Sequence, residues 1–346
     1  MLSQLDSQPE TLEKASNVAM LVAIKERVDS LRADMVTNRA LYLENNPDAL
    51  RQMESFGPAF DRALLAKDVY FDRSIPELMP QGFSRVEGDA ALGRFGLTAS
   101  ALNGSAAAGY FAALYQSTDA SGETRLIYAN RGTDDMRGDI IANLQQGRGK
   151  ETPQYEQAIN NARILKRNGF DVEYVGHSLG GGLAMTQALV TNSKATVFNA
   201  AAVHPDTISR WGVDFSRASE LITAYNLHGD ALNFVQDGGK LVLADAARRG
   251  MPFFGRVVGG PVGGLVGSAA GEWTAEELAN MPAVRGKRYS FPASEAPVQV
   301  GNTFSYGGTL SKDEAYKLPA MVQQHFMDTM IYSMASRMDL QKWGRR

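Results

Sequence analysis

Cysteine is absent from all 346 residues, which excludes disulfide scaffolds, thiolate-ligated zinc, iron–sulfur clusters and thiol catalysis together. A chain without cysteine tolerates both reducing and oxidising compartments. Histidine is scarce: His177, His204, His228 and His325 are the full set, so any chemistry that needs an imidazole must use one of them. Charge of one sign is lacking too. Thirty-five basic residues face 38 acidic ones, for a net charge of −3 and a pI near 5.9. No basic field exists to hold a phosphate backbone, and no nucleic-acid partner is expected. Long apolar runs are missing, because the least polar tract, Gly250–Gly271, is broken by Arg256, two prolines and many glycines. The opening MLSQLDSQPETLEK carries Asp6, Glu10 and Glu13 where a secretory signal needs a basic start and an apolar stretch. These absences predict a soluble chain that is cytoplasmic unless a Sec-independent route exports it.

What remains is an ordinary globular balance, with 44% apolar and 21% charged residues. At about 150 residues per domain the length allows roughly two units. Glycine does not occur before Gly57, and Val18, Leu21, Ile24, Val28, Leu31 and Met35 recur at helical spacing. Residues 1–66 hold seven basic and ten acidic side chains and so carry the whole net charge. An N-terminal helical arm over residues 1–63 and a body over 64–346 follow from this shift in composition. A helix simply packed on the core accounts for the same pattern.

In the body, strands are expected over Ala107–Ser117, Arg125–Ala129, Val172–Val175, Ala195–Ala200 and Leu221–Leu227. Helices are expected over Thr152–Asn168 and Leu179–Val190. Strands alternating with helices imply an α/β fold with a mainly parallel central sheet. Between an apolar strand and an apolar helix stands Val175–Gly176–His177–Ser178–Leu179–Gly180–Gly181–Gly182. Its G-x-S-x-G core fits a sharp strand-to-helix turn that strains the serine backbone and needs small neighbours at 176 and 180. Ser178 is then a candidate nucleophile at a helix N-terminus, where the dipole favours negative charge. A tight glycine turn carrying a spectator serine is the bland alternative.

GHSLGGG, together with the upstream Ala129–Asn130–Arg131–Gly132–Thr133, resembles the class 3 lipases of the α/β-hydrolase superfamily, including bacterial lipase and phospholipase effectors. The resemblance covers roughly residues 64–335, from Asp68–Val69–Tyr70 onward, and is specific at the two motifs. It departs downstream of Arg131–Gly132–Thr133, where Asp139 has no tryptophan before it. The resemblance implies an α/β-hydrolase fold and an oxyanion hole that uses Thr133. The Leu179 backbone N–H, directly after the nucleophile, is the other natural donor. Arg131 and Asp134 are expected to orient this loop.

A serine nucleophile needs an imidazole, and in α/β-hydrolases the histidine comes last in the chain. His325 meets that order, in LPAMVQQHFMDTMIY ahead of a terminal helix. His177 lies beside Ser178 and should point elsewhere, and His204 demands an unusual topology. Met327, Met330, Met334 and Met338 follow at near-helical spacing and are expected to fill core gaps. The acid is expected at Asp230, in a His-Gly-Asp turn after a strand, with Asp206 and then Asp237 as alternatives.

Residues 246–290 form a glycine-rich apolar insert with six basic side chains against three acids, suited to an anionic bilayer surface or to a mobile loop. Taken with the resemblance, these features imply a serine carboxylic-ester hydrolase that acts on lipids, of phospholipase A type. It would need no metal and no organic cofactor. The expected substrate is a lipid or phospholipid at a membrane surface. An immunity-type neutralising protein, or delivery machinery engaging the N-terminal arm, is the partner expected for a secreted antibacterial or virulence effector. A soluble intracellular esterase shares the same residues. A non-catalytic membrane- or partner-binding protein on a hydrolase scaffold is the alternative of another class.

Overall fold

A computed structural model of the chain describes residues 9–103, 109–118, 122–132, 153–234, 236–237, 241, 244, 276, 279–294 and 325–338. Thr133, Asp134, Asp139 and most of the insert expected over 246–290 lie outside the described residues.

Three helices come first: α1 (Pro9–Thr37), α2 (Arg39–Asn45) and α3 (Pro47–Asp68). Seven strands follow: β1 (Phe83–Arg85), β2 (Ala112–Thr118), β3 (Thr124–Asn130), β4 (Val172–His177), β5 (Ala195–Phe198), β6 (Ile222–His228) and β7 (Lys287–Pro292). The longer later helices are α4 (Pro153–Arg167), α5 (Leu179–Thr191) and the terminal α6 (Met327–Met338). One sheet holds all seven strands in sequence order. β1, β2 and β3 pair antiparallel, and β3 through β7 run parallel. The expected α/β class with a mainly parallel sheet is what the chain adopts.

The winding explains how the layers form. Crossovers between parallel strands are almost always right-handed, and here β3 to β7 advance in one direction only. The described crossover helices between β3 and β6 fall on the same face. Strand alternation bears this out: Leu126 and Tyr128 of β3 join α4 and α5 in one core, whereas Ile127 and Ala129 point to the other. The second face is covered by the ends of the chain. Leu21, Val28 and Met35 of α1, Phe60 and Leu64 of α3, and Met330 and Met334 of α6 pack there with Tyr115, Val175 and Phe198. Leu21, Val28 and Met35 stand seven residues apart and are at most 2% exposed, so α1 turns one stripe inward. Arg32 ties α1 to α3 by donating to Asp61 at 2.8 Å and to the Gly57 carbonyl at 2.6 Å. Residues 63 and 64 both lie inside α3.

Most boundaries shift from expectation by one or two residues, and two of the shifts have a local cause. β2 begins at Ala112 rather than near 107, because Gly109 turns at φ 61° and Phe111 makes only an isolated bridge to Asn103. Leu221 closes a short helix over Ala218–Leu221, and β6 starts one residue later.

Candidate active site

The site starts at the C-terminal end of β4. Ser178 has φ 55° and ψ −126°, a region that a β-carbon resists, and it caps the start of α5. Close backbone approach holds it there. The Ser178 carbonyl accepts the Ala201 N–H at 2.8 Å and the Gly181 N–H at 3.0 Å, and the Ser178 N–H donates to the Phe198 carbonyl at 3.1 Å. A β-carbon at Gly176 would overlap the Gly180 carbonyl, and one at Gly180 would overlap the Asn130 carbonyl. The glycines of the motif are thus required by main chain that flexible side-chain movement cannot relieve.

Ser178, His325 and Asp230 meet although they are far apart in sequence. Ser178 Oγ is 2.9 Å from His325 Nε2, and His325 Nδ1 is 2.6 Å from Asp230 Oδ2. A carboxylate only accepts, so Nδ1 carries the proton and Nε2 is free to accept from the serine hydroxyl. The second Asp230 oxygen accepts the Asn233 N–H at 2.7 Å, which leaves both oxygens engaged. Asp230 and His325 are 0% and 2% exposed, whereas Ser178 is partly open. His325 stands two residues before α6, and the four methionines of that helix are buried in the second core.

His177 does point away from Ser178, and inward. Its Nε2 lies 2.6 Å from the His325 carbonyl oxygen and its Nδ1 lies 2.9 Å from Tyr70 Oη. Burial, then the neighbouring His325, holds its pKa well below the usual imidazole range. Asn199, at φ 38°, is a hub that sequence reading missed. It accepts the Leu227 N–H at 2.9 Å and an Asn233 amide at 3.3 Å, and it offers its own amide to the His325 carbonyl at 3.5 Å. Lys67 of α3 pairs with Asp328 of α6 at 3.2 Å, both essentially unexposed. Burial brings the Lys67 pKa down to about 8 and raises that of Asp328, with each partner opposing the other's shift. The loop after β3 is anchored by Asn130, whose amide donates to Gln187 of α5 at 2.6 Å, and by Arg131, which stacks 4.4 Å from the Phe111 ring.

The remaining candidates stand outside this line of hydrogen bonds, and Thr133 and Asp134 lie beyond the described residues. Leu179 opens α5, where an N–H has no partner within its helix. Thr133 lies outside. Asp206 is exposed beside His204, and Asp237 forms a two-pronged pair with Arg288 at 2.9 and 2.7 Å. That pair offsets part of the positive charge expected of the insert. His228 is exposed at the end of β6. Among the described residues no group of three or more His, Asp or Glu could hold a metal, and no helix is long and apolar enough to cross a membrane. A hollow of about 370 Å³ lined by Leu189, Asn192 and Arg217 sits at the far end of α5 from Ser178.

Comparison with known proteins places this geometry in context. A family model described as a Tle-like phospholipase domain, phospholipase-like, matches residues 61–289. That range includes Ser178 and Asp230 and ends before His325. An extracellular phospholipase A1 of Serratia liquefaciens is 36% identical over 202 residues, which is 57% of this chain and 60% of that protein. The chain therefore covers less than two-thirds of that relative's length.

Proposed function

Because the chain belongs to the Tle-like phospholipase domain family, we propose that it hydrolyses the carboxylic esters of phospholipids, as an A-type phospholipase, through an acyl-enzyme on Ser178. Family membership supports a lipid ester hydrolase. The relative's name, a phospholipase A1, supports acyl-ester bonds over phosphodiester bonds. The observation that carries the reading is the unbroken line of hydrogen bonds from Ser178 through His325 to Asp230 at a strained strand-to-helix turn.

Each group has a role that follows from its position. Ser178 Oγ attacks the ester carbonyl as His325 Nε2 takes its proton. Asp230 holds the Nδ1–H tautomer and stabilises the imidazolium. The oxyanion forms beside the N-terminus of α5, where the Leu179 N–H serves as one donor and Thr133 as the second. Collapse of the tetrahedral species expels the lysolipid alcohol, which receives the proton from His325. Water then attacks the acyl-Ser178 ester by the same route and releases a fatty acid.

The strain and partial exposure of Ser178 favour a nucleophile over a structural serine. The part of residues 246–290 that precedes β7 is the segment we assign to the bilayer surface, since Lys287–Pro292 pairs with β6 in the sheet, and export with a neutralising partner is the setting that suits an enzyme able to attack its producer's membrane. Fatty-acid release from phospholipid vesicles by the wild type and Ser178→Ala, with an aqueous short-chain p-nitrophenyl ester in parallel, tests the reading. Vesicle hydrolysis that vanishes in the variant is expected. Ester cleavage alone would make the protein a soluble esterase. Silence on both substrates would favour the non-catalytic alternative.

A further inference from the structure

A second line of hydrogen bonds reaches His325 through side chains that take no part in the triad. The Gly132 N–H donates to Tyr70 Oη at 3.1 Å, Tyr70 Oη lies 2.9 Å from His177 Nδ1, and His177 Nε2 lies 2.6 Å from the His325 carbonyl oxygen. The directions follow from the far end. A carbonyl only accepts, so Nε2 of His177 carries a proton. A neutral imidazole has a single N–H, so Nδ1 accepts and the Tyr70 hydroxyl donates to it. The hydroxyl oxygen is then free to accept from Gly132. One tautomer satisfies all three links, and they point the same way.

The surroundings keep His177 in the neutral state that this arrangement needs. Its side chain is 1% exposed, the His325 ring centre lies 4.9 Å away, and both His325 and the Lys67 ammonium oppose a further positive charge. Packing at the other end is equally tight. A β-carbon at Gly132 would overlap both the Tyr70 hydroxyl and the His177 carbonyl. The line thus joins three places that a serine hydrolase must hold in register. These are the loop after β3, the strand that delivers the nucleophile, and the backbone of the base. Asn199 also donates to the His325 carbonyl, at the longer distance of 3.5 Å.

We propose that Tyr70 and His177 are positioning residues, which fix the backbone of His325 relative to Ser178 and to the Gly132 peptide. The proposal rests on reading Ser178 and His325 as nucleophile and base. Sub-ångström placement of such groups governs the chemical step more than substrate binding. Loss of either side chain should therefore act on kcat.

Two readouts test it. In ¹⁵N-labelled protein at pH 7 only four histidines contribute imidazole signals. The set removed by His177→Gln should be that of a neutral Nε2–H ring, and Tyr70→Phe should shift the His325 signals. A neutral Nδ1–H ring or a cation at position 177 overturns the proposal whatever the enzyme does.

On phosphatidylcholine vesicles, Tyr70→Phe and His177→Leu should each lower kcat about ten- to a hundredfold, with apparent KM within about twofold and with native circular dichroism. The double variant should fall no further than the worse single one, because both break one line. His177→Gln keeps a donor for the His325 carbonyl and should recover part of the His177→Leu loss. Losses that multiply, or that appear in KM in folded protein, overturn the proposal. Ser178→Ala separates the two readings. If it abolishes hydrolysis while the Tyr70 and His177 variants run at the wild-type rate, only the positioning roles fail. If it leaves hydrolysis intact, the reading of Ser178 fails, and the tautomer spectra alone decide the hydrogen-bond line.

Discussion

Ser178 is held at φ 55° by main-chain bonds to Phe198 and Ala201, in a conformation that costs a non-glycine residue about 1–3 kcal/mol. If Ser178 is the proposed nucleophile, this strain is stability given up for position, and it can be measured. Ser178→Gly should melt at a higher temperature than Ser178→Ala while both are inactive, since only glycine relieves the strain. Equal melting temperatures would mean that the turn stores no strain. Asp230→Asn keeps the shape but removes the carboxylate that selects the Nδ1–H tautomer. Its kcat should fall about 10³–10⁴-fold in vesicle assays. His177 makes a prediction about pH. Its native pKa lies well below the unfolded value of 6.5, so on acidification below that value the unfolded chain takes up a proton that the native chain refuses. Stability is then lost as pH falls below 6.5, by up to about 1.4 kcal/mol per pH unit, because burial first, then His325 and Lys67, oppose the extra charge. Melting curves from pH 7 to pH 5 should be flatter for His177→Gln than for the wild type. The meeting of Ser178, Asp230 and His325 in the candidate site was legible at this scale, because G-x-S-x-G and the chain order Ser, Asp, His are local or ordinal signals. Tyr70, Asn199 and Asn233 were not, since their roles come from who meets whom across the sheet, which spacing along one element does not encode.

Among elements, the join that matters most is between α3 and α6, because His325 stands just before α6. Lys67 and Asp328 bridge them inside the second core, 1% and 0% exposed. A buried pair adds little relative to an apolar pair of similar volume, yet removing one partner strands the other and typically costs about 3–5 kcal/mol. Lys67→Met should therefore destabilise strongly, and Lys67→Met/Asp328→Leu should recover most of the loss, as read from urea midpoints. A double variant no better than the single would mean that Asp328 is not held as a charge by Lys67 alone. The long elements were legible because their periodicity is strong, as in α4, where Tyr155, Ala158, Ile159, Ala162 and Leu165 all face inward. Two short ones were not. β1 has three residues, too few to show alternation. β7 opens on Lys287 and Arg288 within an apolar insert and is mostly exposed, so it reads as loop. α3 begins inside the helical arm expected over residues 1–63, but its run through Pro58, which sequence rules treat as a break, and on to Asp68 was not legible.

For the whole molecule, a sheet whose parallel strands advance in one direction has all its crossovers on one face, so something else must cover the other. Here the cover comes from the two ends of the chain, and α1 supplies Leu21, Val28 and Met35 at 0%, 1% and 2% exposure. Burying a side chain of this kind contributes about 1.5–3 kcal/mol, and three together rival the total stability of a typical domain, about 5–15 kcal/mol. The Arg32 bonds to Asp61 and Gly57 add to the join. On this reasoning the described residues 9–46 form part of the body's roof, and we expect them to fold with it and not to detach as a separate arm. A chain starting at Pro47 should expose the apolar sides of α3 and α6, aggregate or bind hydrophobic dye, and lose the cooperative thermal transition of the full chain. Because α1 also lies against α6, whatever folds should hydrolyse phospholipid slowly, through disturbance of His325 and not through loss of any group that touches substrate. A soluble 47–346 fragment with the full-length melting temperature and rate would instead make the N-terminal helices a separate unit, available for loading or for partner recognition without touching the catalytic core.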